Sequence, residues 1–497
     1  MRFAVLDAIF ERNNKVERKN KVEGKNNAQR IALVGDTVSL TYAELATAIN
    51  TLADAFVAAR TQHLGILCDN SPHWISAQLA ALHAGLCFTI EQQRHVLNSA
   101  GVDTLICTSP EQAQLLDSDF KYNKINGFYQ RAPRMTSVPK GTQLITFTSG
   151  TTGQPKGVCL SLALINAVTQ SLVETLELET IETHLCLMPL AILLENIAGV
   201  FVPLLAGKTV IVKPISTLGL GGSSHLHPGR FSQTLQRLKP DSLILTPALL
   251  NAVMQHALST PQAHIPRYMA LGGGVTSNRL LTQAQQLKLP VYQGYGLSEC
   301  GSVVTVNTPQ HNKIGTVGRA LPGRAISLAA DGEILIDSDH FLGYLSDTES
   351  APSRITSEDG HEQLPTGDLG EIDDAGFLTL KGRKKSQYIT AFGRNVSPEW
   401  IEAELTSLPH IAQACLAGDG EATLSALIVP TPGSRATDVQ RAIDALNSTL
   451  PDYARIHHWT PAQAFSVQND QLTFSGRLKR QTILHDYDNA LSRLYAR

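Results

Sequence analysis

Residues 148 to 157, Thr148-Ser149-Gly150-Thr151-Thr152-Gly153-Gln154-Pro155-Lys156-Gly157, narrow the folds open to this chain more than any other stretch. They follow Leu144-Ile145-Thr146-Phe147, an apolar, β-prone run, and lead through Val158-Cys159-Leu160-Ser161 into a helix-like segment from Leu162. A strand therefore opens into a loop of hydroxyls, glycines and one lysine. Such a loop suits phosphate: glycine lets backbone N–H groups approach an anion closely, hydroxyls donate further bonds, and the lysine adds a point charge. A Walker P-loop is excluded, because its spacing demands glycine where Pro155 stands.

The surroundings of that loop point to layered α/β structure. Thr41 and Glu44 form a capping-box pattern ahead of Leu45, Ile49, Leu52, Ala53 and Phe56. His63 to Cys68 predicts a strand, Pro72 opens a helix that Gly85 ends, and 88–90 and 102–107 predict two more strands. Strands alternating with helices imply a largely parallel sheet. Asp241 to Thr246 and Tyr268 to Leu271 predict strands that run into Pro247 and into Gly272-Gly273-Gly274. Residues 216–230 read as a surface loop, and 332–336 and 341–345 as strands of a β-rich subdomain.

Bulk properties bound the rest. A chain of 497 residues, 43% hydrophobic and 17% charged, is globular and large enough for two or three domains. A net charge of −3 gives no reason to expect nucleic acid or an anionic membrane as partner. Seven cysteines without CxxC pairs argue for a reducing, cytoplasmic setting and against a zinc site. The apolar segment 185–206 carries Glu195 near its centre and is broken by Pro189 and Pro203, so it predicts a buried helix rather than a membrane span. Residues 1–28 carry scattered basic side chains after a mildly apolar start and predict a flexible lead-in, without the pattern of a secretory signal.

The stretch at 148–157 closely resembles the phosphate loop of the adenylate-forming (AMP-binding) superfamily, which includes acyl-CoA synthetases, firefly luciferase and peptide-synthetase adenylation domains. Further stretches resemble that family's motifs in the same order, over roughly residues 30 to 480: Met188-Pro189-Leu190-Ala191 through Glu195, Gly294-Tyr295-Gly296-Leu297-Ser298-Glu299, Thr366-Gly367-Asp368, Gly382-Arg383-Lys384-Lys385, Ala391 to Glu399, and Leu472 to Arg480. The resemblance implies an α/β fold. Residues 29–381 would form a large N-terminal domain of two α/β sheets and a β subdomain, and residues 382–497 a small, mobile C-terminal α/β domain.

It also implies roles. Lys156 and the loop donors Thr148, Ser149, Gly150, Thr151, Thr152 and Gly153 would hold the phosphates of ATP. Gly272, Gly273 and Gly274 would pack against the adenine, with Gly294, Tyr295, Gly296 and Ser298 completing the nucleotide site. Glu299 would hold Mg²⁺, a hard cation that prefers carboxylate oxygen. Asp368 would accept the ribose hydroxyls, with Arg383 beside it. Lys385 would be the hinge, and Phe392, Gly393 and Arg394 would line a tunnel for the thiol of CoA or of a carrier protein's phosphopantetheine. Ile192 and Glu195 would line the acyl pocket.

Two positions depart from the family pattern. Ile192 stands where histidine is usual, and Arg477 where the C-terminal lysine is usual; Lys479, two residues on, is the other candidate cation. Arginine keeps the charge but presents a longer, planar fork. The activity implied is activation of a carboxylic acid, of the medium- or long-chain fatty acid class, to an acyl adenylate and then to acyl-CoA. An acyl-carrier-protein ligase and a weakly catalytic nucleotide- or acyl-binding homologue are the alternatives.

Overall fold

Thr41 closes a short strand and starts a helix, Tyr42–Ala58, in the manner its sequence predicts. The Thr41 hydroxyl accepts the Glu44 N–H at 3.2 Å, and the Glu44 carboxylate accepts the Thr41 N–H at 2.8 Å. A cap of this kind contributes about 1 kcal/mol. Leu45, Ile49, Ala53 and Phe56 on the inward face are buried in the same core as the helix Pro72–His83, which is capped by Ser71. The structure is a computed structural model that describes residues 3–19, 29–90, 97, 99–107, 119–123, 127–134, 138–148, 156–221, 225–260, 262–337, 341–345, 354–356, 360, 362–473 and 476–495.

Two large sheets carry the N-terminal domain. One has the parallel strands His63–Leu67, Cys87–Ile90 and Thr104–Cys107 beside Thr142–Thr148, extended by the hairpin partner Lys156–Ser161. The other sets Ile31–Val34, Thr209–Ile211, Thr183–Leu185, Ser242–Leu245, Tyr268–Leu271 and Val291–Tyr295 in parallel, with antiparallel strands at both edges. In such sheets loops at the carboxyl ends of strands collect ligands. The glycine turn 272–274 and the 294–299 motif both lie at such ends. A five-stranded sheet built around Glu362–Ile372 forms the β subdomain.

Phe341–Tyr344 does not join that subdomain, as its sequence position suggested. It pairs antiparallel with Lys156–Ser161 at the edge of the phosphate-loop sheet, with Tyr344 opposite Val158. A register shift at Gly343, whose φ is +119°, makes the bend that turns the strand there.

The expected flexible lead-in is overturned for its first part: Ala4–Lys19 is a helix. Phe3, Val5, Leu6 and Ile9 are buried in the main core, and Phe3 meets Phe201 edge to face at 5.0 Å. Arg12 Nη2 donates to the Leu205 carbonyl at 3.0 Å, capping the neighbouring helix end, and its guanidinium lies 5.4 Å from the Tyr42 ring. The basic composition concealed an apolar stripe that begins in the first turn. Residues 20–28 lie outside the described residues. The 216–230 segment also contains more than a loop, since the helix Pro228–Leu238 starts inside it.

The C-terminal domain has its own core, built on the strands Ile411–Ala417, Leu424–Pro430 and Ile456–Pro461 and the helices Pro398–Thr406 and Ala436–Asn447. Among the described residues no helix is long and apolar enough to cross a membrane.

Candidate active site

Thr148 and Lys156 face each other at the mouth of the hairpin that carries the phosphate loop. Ser149, Gly150, Thr151, Thr152 and Gly153 lie outside the described residues. The Lys156 ammonium sits 5.3 Å from the centre of the Tyr344 ring, and the Tyr344 hydroxyl donates to Glu299 Oε1 at 2.8 Å. Lys156 begins a strand of one sheet and Glu299 lies in the turn that follows a strand of the other, and Tyr344 contacts both. Ser298 and Glu299 form a single 3₁₀ turn, both half-buried. Gly296 is forced at its position: a Cβ there would stand 1.9 Å from the Ser302 carbonyl oxygen. At Gly294 a Cβ would meet the Thr305 carbonyl at 3.0 Å.

Asp368 is the centre of a second group. The Tyr295 hydroxyl donates to its Oδ2 at 2.7 Å, and Arg383 Nε lies 2.7 Å from its Oδ1. Burial raises the Asp368 carboxyl above its ordinary range, and Arg383, Tyr295 and Arg477 act against that. Burial and then the Asp368 carboxylate push the Tyr295 phenol far up, so the hydroxyl stays protonated and a donor. The Gly367 N–H is held by Glu333 Oε1 at 2.8 Å, and Glu333 is paired with Lys384, which fixes the Asp368 backbone from behind.

The two candidate C-terminal cations differ in place. Arg477 is exposed, yet Asp368 and Arg383 are charges that act on it across the domain boundary. Lys479 pairs instead with Asp470 of its own domain. Arg480 anchors the segment: it pairs with both oxygens of Glu402, donates to the Leu416 carbonyl at 3.3 Å, and stands 5.8 Å from the Tyr388 ring. The sequence places Arg480 at the end of a motif without a role; its pairing with Glu402 is visible only in the fold.

Glu195 does not line a pocket. It is fully buried, its Oε1 3.0 Å from His184 Nε2, its Oε2 accepting the Leu187 and Met188 N–H groups at 3.1 and 2.9 Å. His184 Nδ1 is 2.9 Å from Ser242 Oγ. Cys186 completes the cluster, and burial, then Glu195, raise its thiol well above the ordinary range. These side chains and the backbone satisfy one another, so the cluster ties the start of the 188–195 segment to the sheet. The chain from Glu195 to Phe201 is wound as a π-helix, which brings Gly199 against the carboxylate. Ile192 is half-buried, and Leu194 reaches the glycine turn, its Cδ2 3.2 Å from where a Cβ on Gly272 would stand. Gly273 has φ +80°, a conformation that favours glycine; Gly274 is exposed beside it.

In the C-terminal domain, Phe392 is 79% exposed, Gly393 turns with φ +72°, and the Arg394 guanidinium lies 5.9 Å from the Tyr453 ring. Lys385 is exposed in the connection just after Arg383. Gly382, with φ +119°, would bring a Cβ to 2.4 Å from Ser397 Oγ, so this connection is tightly built on one side.

A family model described as AMP-binding enzyme matches residues 21–340, and one described as AMP-binding enzyme C-terminal domain matches 385–497. The chain belongs to the AMP-binding enzymes. Among relatives of this family, a long-chain-fatty-acid–CoA ligase of Mycobacterium bovis is 37% identical over 184 residues, a match spanning 37% of this chain and 30% of that protein. A 2-succinylbenzoate–CoA ligase of Bacillus subtilis is 25% identical over 78% of this chain and 82% of its own. The fold matches the crystal structure of an anthranilate CoA ligase in complex with anthranoyl-AMP, with TM-score 0.79, 18% identity and 98% of both chains covered. It also matches the o-succinylbenzoate CoA synthetase of Bacillus subtilis with its acyl-adenylate, at TM-score 0.74, 20% identity, 96% of this chain and 97% of that one. The match to this AMP-binding fold agrees with the α/β architecture of a large N-terminal and a small C-terminal domain expected from sequence.

Sequence reasoning missed Tyr344 as a site residue. The sequence places 341–345 with the β subdomain and so away from Lys156, and no local signal in that stretch pairs it with Lys156–Ser161.

Proposed function

We propose that this chain activates a carboxylic acid with ATP, giving an acyl adenylate and pyrophosphate, and passes the acyl group to the thiol of CoA. The observation that carries the reading is the group around Asp368, whose two carboxylate oxygens lie 2.7 Å from the Tyr295 hydroxyl and 2.7 Å from Arg383 Nε, with the Arg477 charge acting on it, beside a motif whose Glu299 is linked to Lys156 through Tyr344. The cations come from three separate elements: Lys156 opens a strand of the phosphate-loop sheet, Arg383 ends a strand of the β subdomain, and Arg477 belongs to the C-terminal domain. In the first step a carboxylate oxygen bonds to the α-phosphorus as the α–β bridging bond breaks, and pyrophosphate leaves with the electron pair. Negative charge gathers on oxygens that repel one another, so positioning and electrostatic clamping do most of the work. Lys156 and the loop from Thr148 would hold the β- and γ-phosphates, and Arg477 would hold the α-phosphate and the attacking carboxylate together. Tyr295 would stack on adenine, and Asp368 would exchange its present donors for the ribose hydroxyls. Glu299 offers a hard carboxylate oxygen that fits Mg²⁺, which when bound screens the phosphate charge.

In the second step the thiol attacks the acyl carbonyl and AMP leaves. A swivel at Lys385 between 29–381 and 382–497 would withdraw Arg477 and bring in Phe392, Gly393 and Arg394, which now face solvent. A medium- or long-chain fatty acid is the proposed substrate class, supported by the 188–195 segment, by Ile192 in place of a polar side chain, and by the long-chain-fatty-acid–CoA ligase relative.

Pyrophosphate release with ATP and Mg²⁺ across a panel of fatty, aryl and amino acids, each with and without CoA, tests the reading. Release that rises with CoA for fatty acids is expected. Turnover with aryl acids alone would replace the substrate class, and turnover only with a phosphopantetheinylated carrier protein would replace the acceptor. ATP binding without release from any acid would leave a nucleotide-binding homologue.

A further inference from the structure

Tyr344 stands between two charges that would otherwise attract each other. Lys156 begins one strand of the phosphate-loop sheet, and Glu299 lies in the turn that follows a strand of the other sheet. Tyr344 is opposite Val158, so Lys156 is its diagonal neighbour on the same face of the paired strands, within reach of a long side chain. Its ring lies 5.3 Å from the Lys156 ammonium and its hydroxyl 2.8 Å from Glu299 Oε1. Phe341 meets the same ring edge to face at 5.3 Å, which limits its rotation.

An aromatic face attracts an ammonium without neutralising it, and a phenol donates to a carboxylate without adding charge. Lys156 and Glu299 do not pair directly. Had they done so, each would have cancelled the charge the other needs for phosphate and for a divalent cation, and nucleotide binding would first have to separate them.

We propose that Tyr344 is a positioning residue for the first half-reaction, a neutral spacer that holds Glu299 ready for the divalent cation and Lys156 ready for phosphate while preventing their ion pair. This rests on the adenylation reading above. Tyr344→Phe keeps the ring and removes the donor; Tyr344→Leu removes both. The probes are Mn²⁺, followed by its free-ion EPR signal in the presence of a non-hydrolysable ATP analogue, and a fluorescent ATP analogue bound in EDTA.

In Tyr344→Phe the Mn²⁺ dissociation constant is expected to rise about tenfold, as for the loss of one hydrogen bond to a charged group, with metal-free nucleotide affinity within about twofold. In Tyr344→Leu the metal-free affinity is expected to fall a further ~3-fold as the ammonium loses its ring, with unchanged thermal stability showing that the fold is intact. Mn²⁺ affinity unchanged in both variants would overturn the proposal. Failure of the wild-type chain to bind nucleotide at all would instead overturn the adenylation reading on which it rests.

Discussion

Arg480→Ala is expected to weaken both the C-terminal domain and the first half-reaction. Glu402 is 7% exposed, and its carboxylate is satisfied by Arg480 on both oxygens and by the Leu416 N–H at 2.7 Å. Alanine leaves that carboxylate buried with one backbone donor, and breaking one partner of a buried pair costs about 3–5 kcal/mol. For a domain of this size the lower end corresponds to a Tm fall of roughly 12 °C. Trp400 and Trp459 pack against the C-terminal core whereas Trp74 is buried in the N-terminal one, so urea melts followed by tryptophan emission report largely on the affected domain.

The loss also has a pH signature. Burial raises the Glu402 carboxyl, and Arg480 pulls it back. Without Arg480 the folded pKa rises further above the unfolded value of about 4.3. The variant's folded state then binds the proton more tightly than the unfolded one. Its stability is retained below the unfolded pKa and falls as pH rises through the folded one. The deficit against wild type should therefore be smallest below the unfolded carboxyl pKa and grow as pH rises through the raised folded one. The double change Glu402→Gln with Arg480→Met, which leaves no buried charge, should recover part of the loss. A deficit below about 1 kcal/mol, the size of an exposed pair, or one indifferent to pH, would refute the reasoning.

Gly199→Ala places a Cβ 2.2 Å from Glu195 Oε1 and 2.8 Å from His184 Nε2, so it should cost about 3 kcal/mol or more by splitting that buried pair; a wild-type melting temperature would count against the cluster's anchoring role. Arg477→Ala should slow pyrophosphate release about 10²-fold and Lys479→Ala only a few-fold, and the reverse order would mean that Lys479 leaves Asp470 to serve the site. Lys156→Ala should cut release by about an order of magnitude or more, with near-normal release removing its role. Ile9→Ala should cost about 2–5 kcal/mol as a buried large-to-small change; a loss under ~0.5 kcal/mol, typical of a surface site, would return the first helix to a loosely held lead-in.

Local rules carried the sequence a long way. The capping box at Thr41 and Glu44, the strand ahead of Thr148 and the helix opened by Pro72 all follow from interactions within a few residues, and so each could be read from its own neighbourhood. The order of the motifs carried the family for the same reason, since each is a short stretch whose residue types suit one task. What lay beyond reach were pairings between distant segments. Nothing near Tyr344 in the chain says that it borders Val158, nothing near Glu195 says that His184 and two backbone N–H groups enclose it, and the charges around Lys15 and Arg18 hid the four apolar side chains of 3–9. The choice between Arg477 and Lys479 is of the same kind: two cations two residues apart have equal claims in sequence. The packing of Arg480 on Glu402 holds the segment, and Asp470 takes Lys479, so that of the two it is the Arg477 charge that acts on Asp368. Sequence specified the chemistry each segment carries; the tertiary structure decided which charges meet, because long-range burial and pairing set distances that no local pattern encodes.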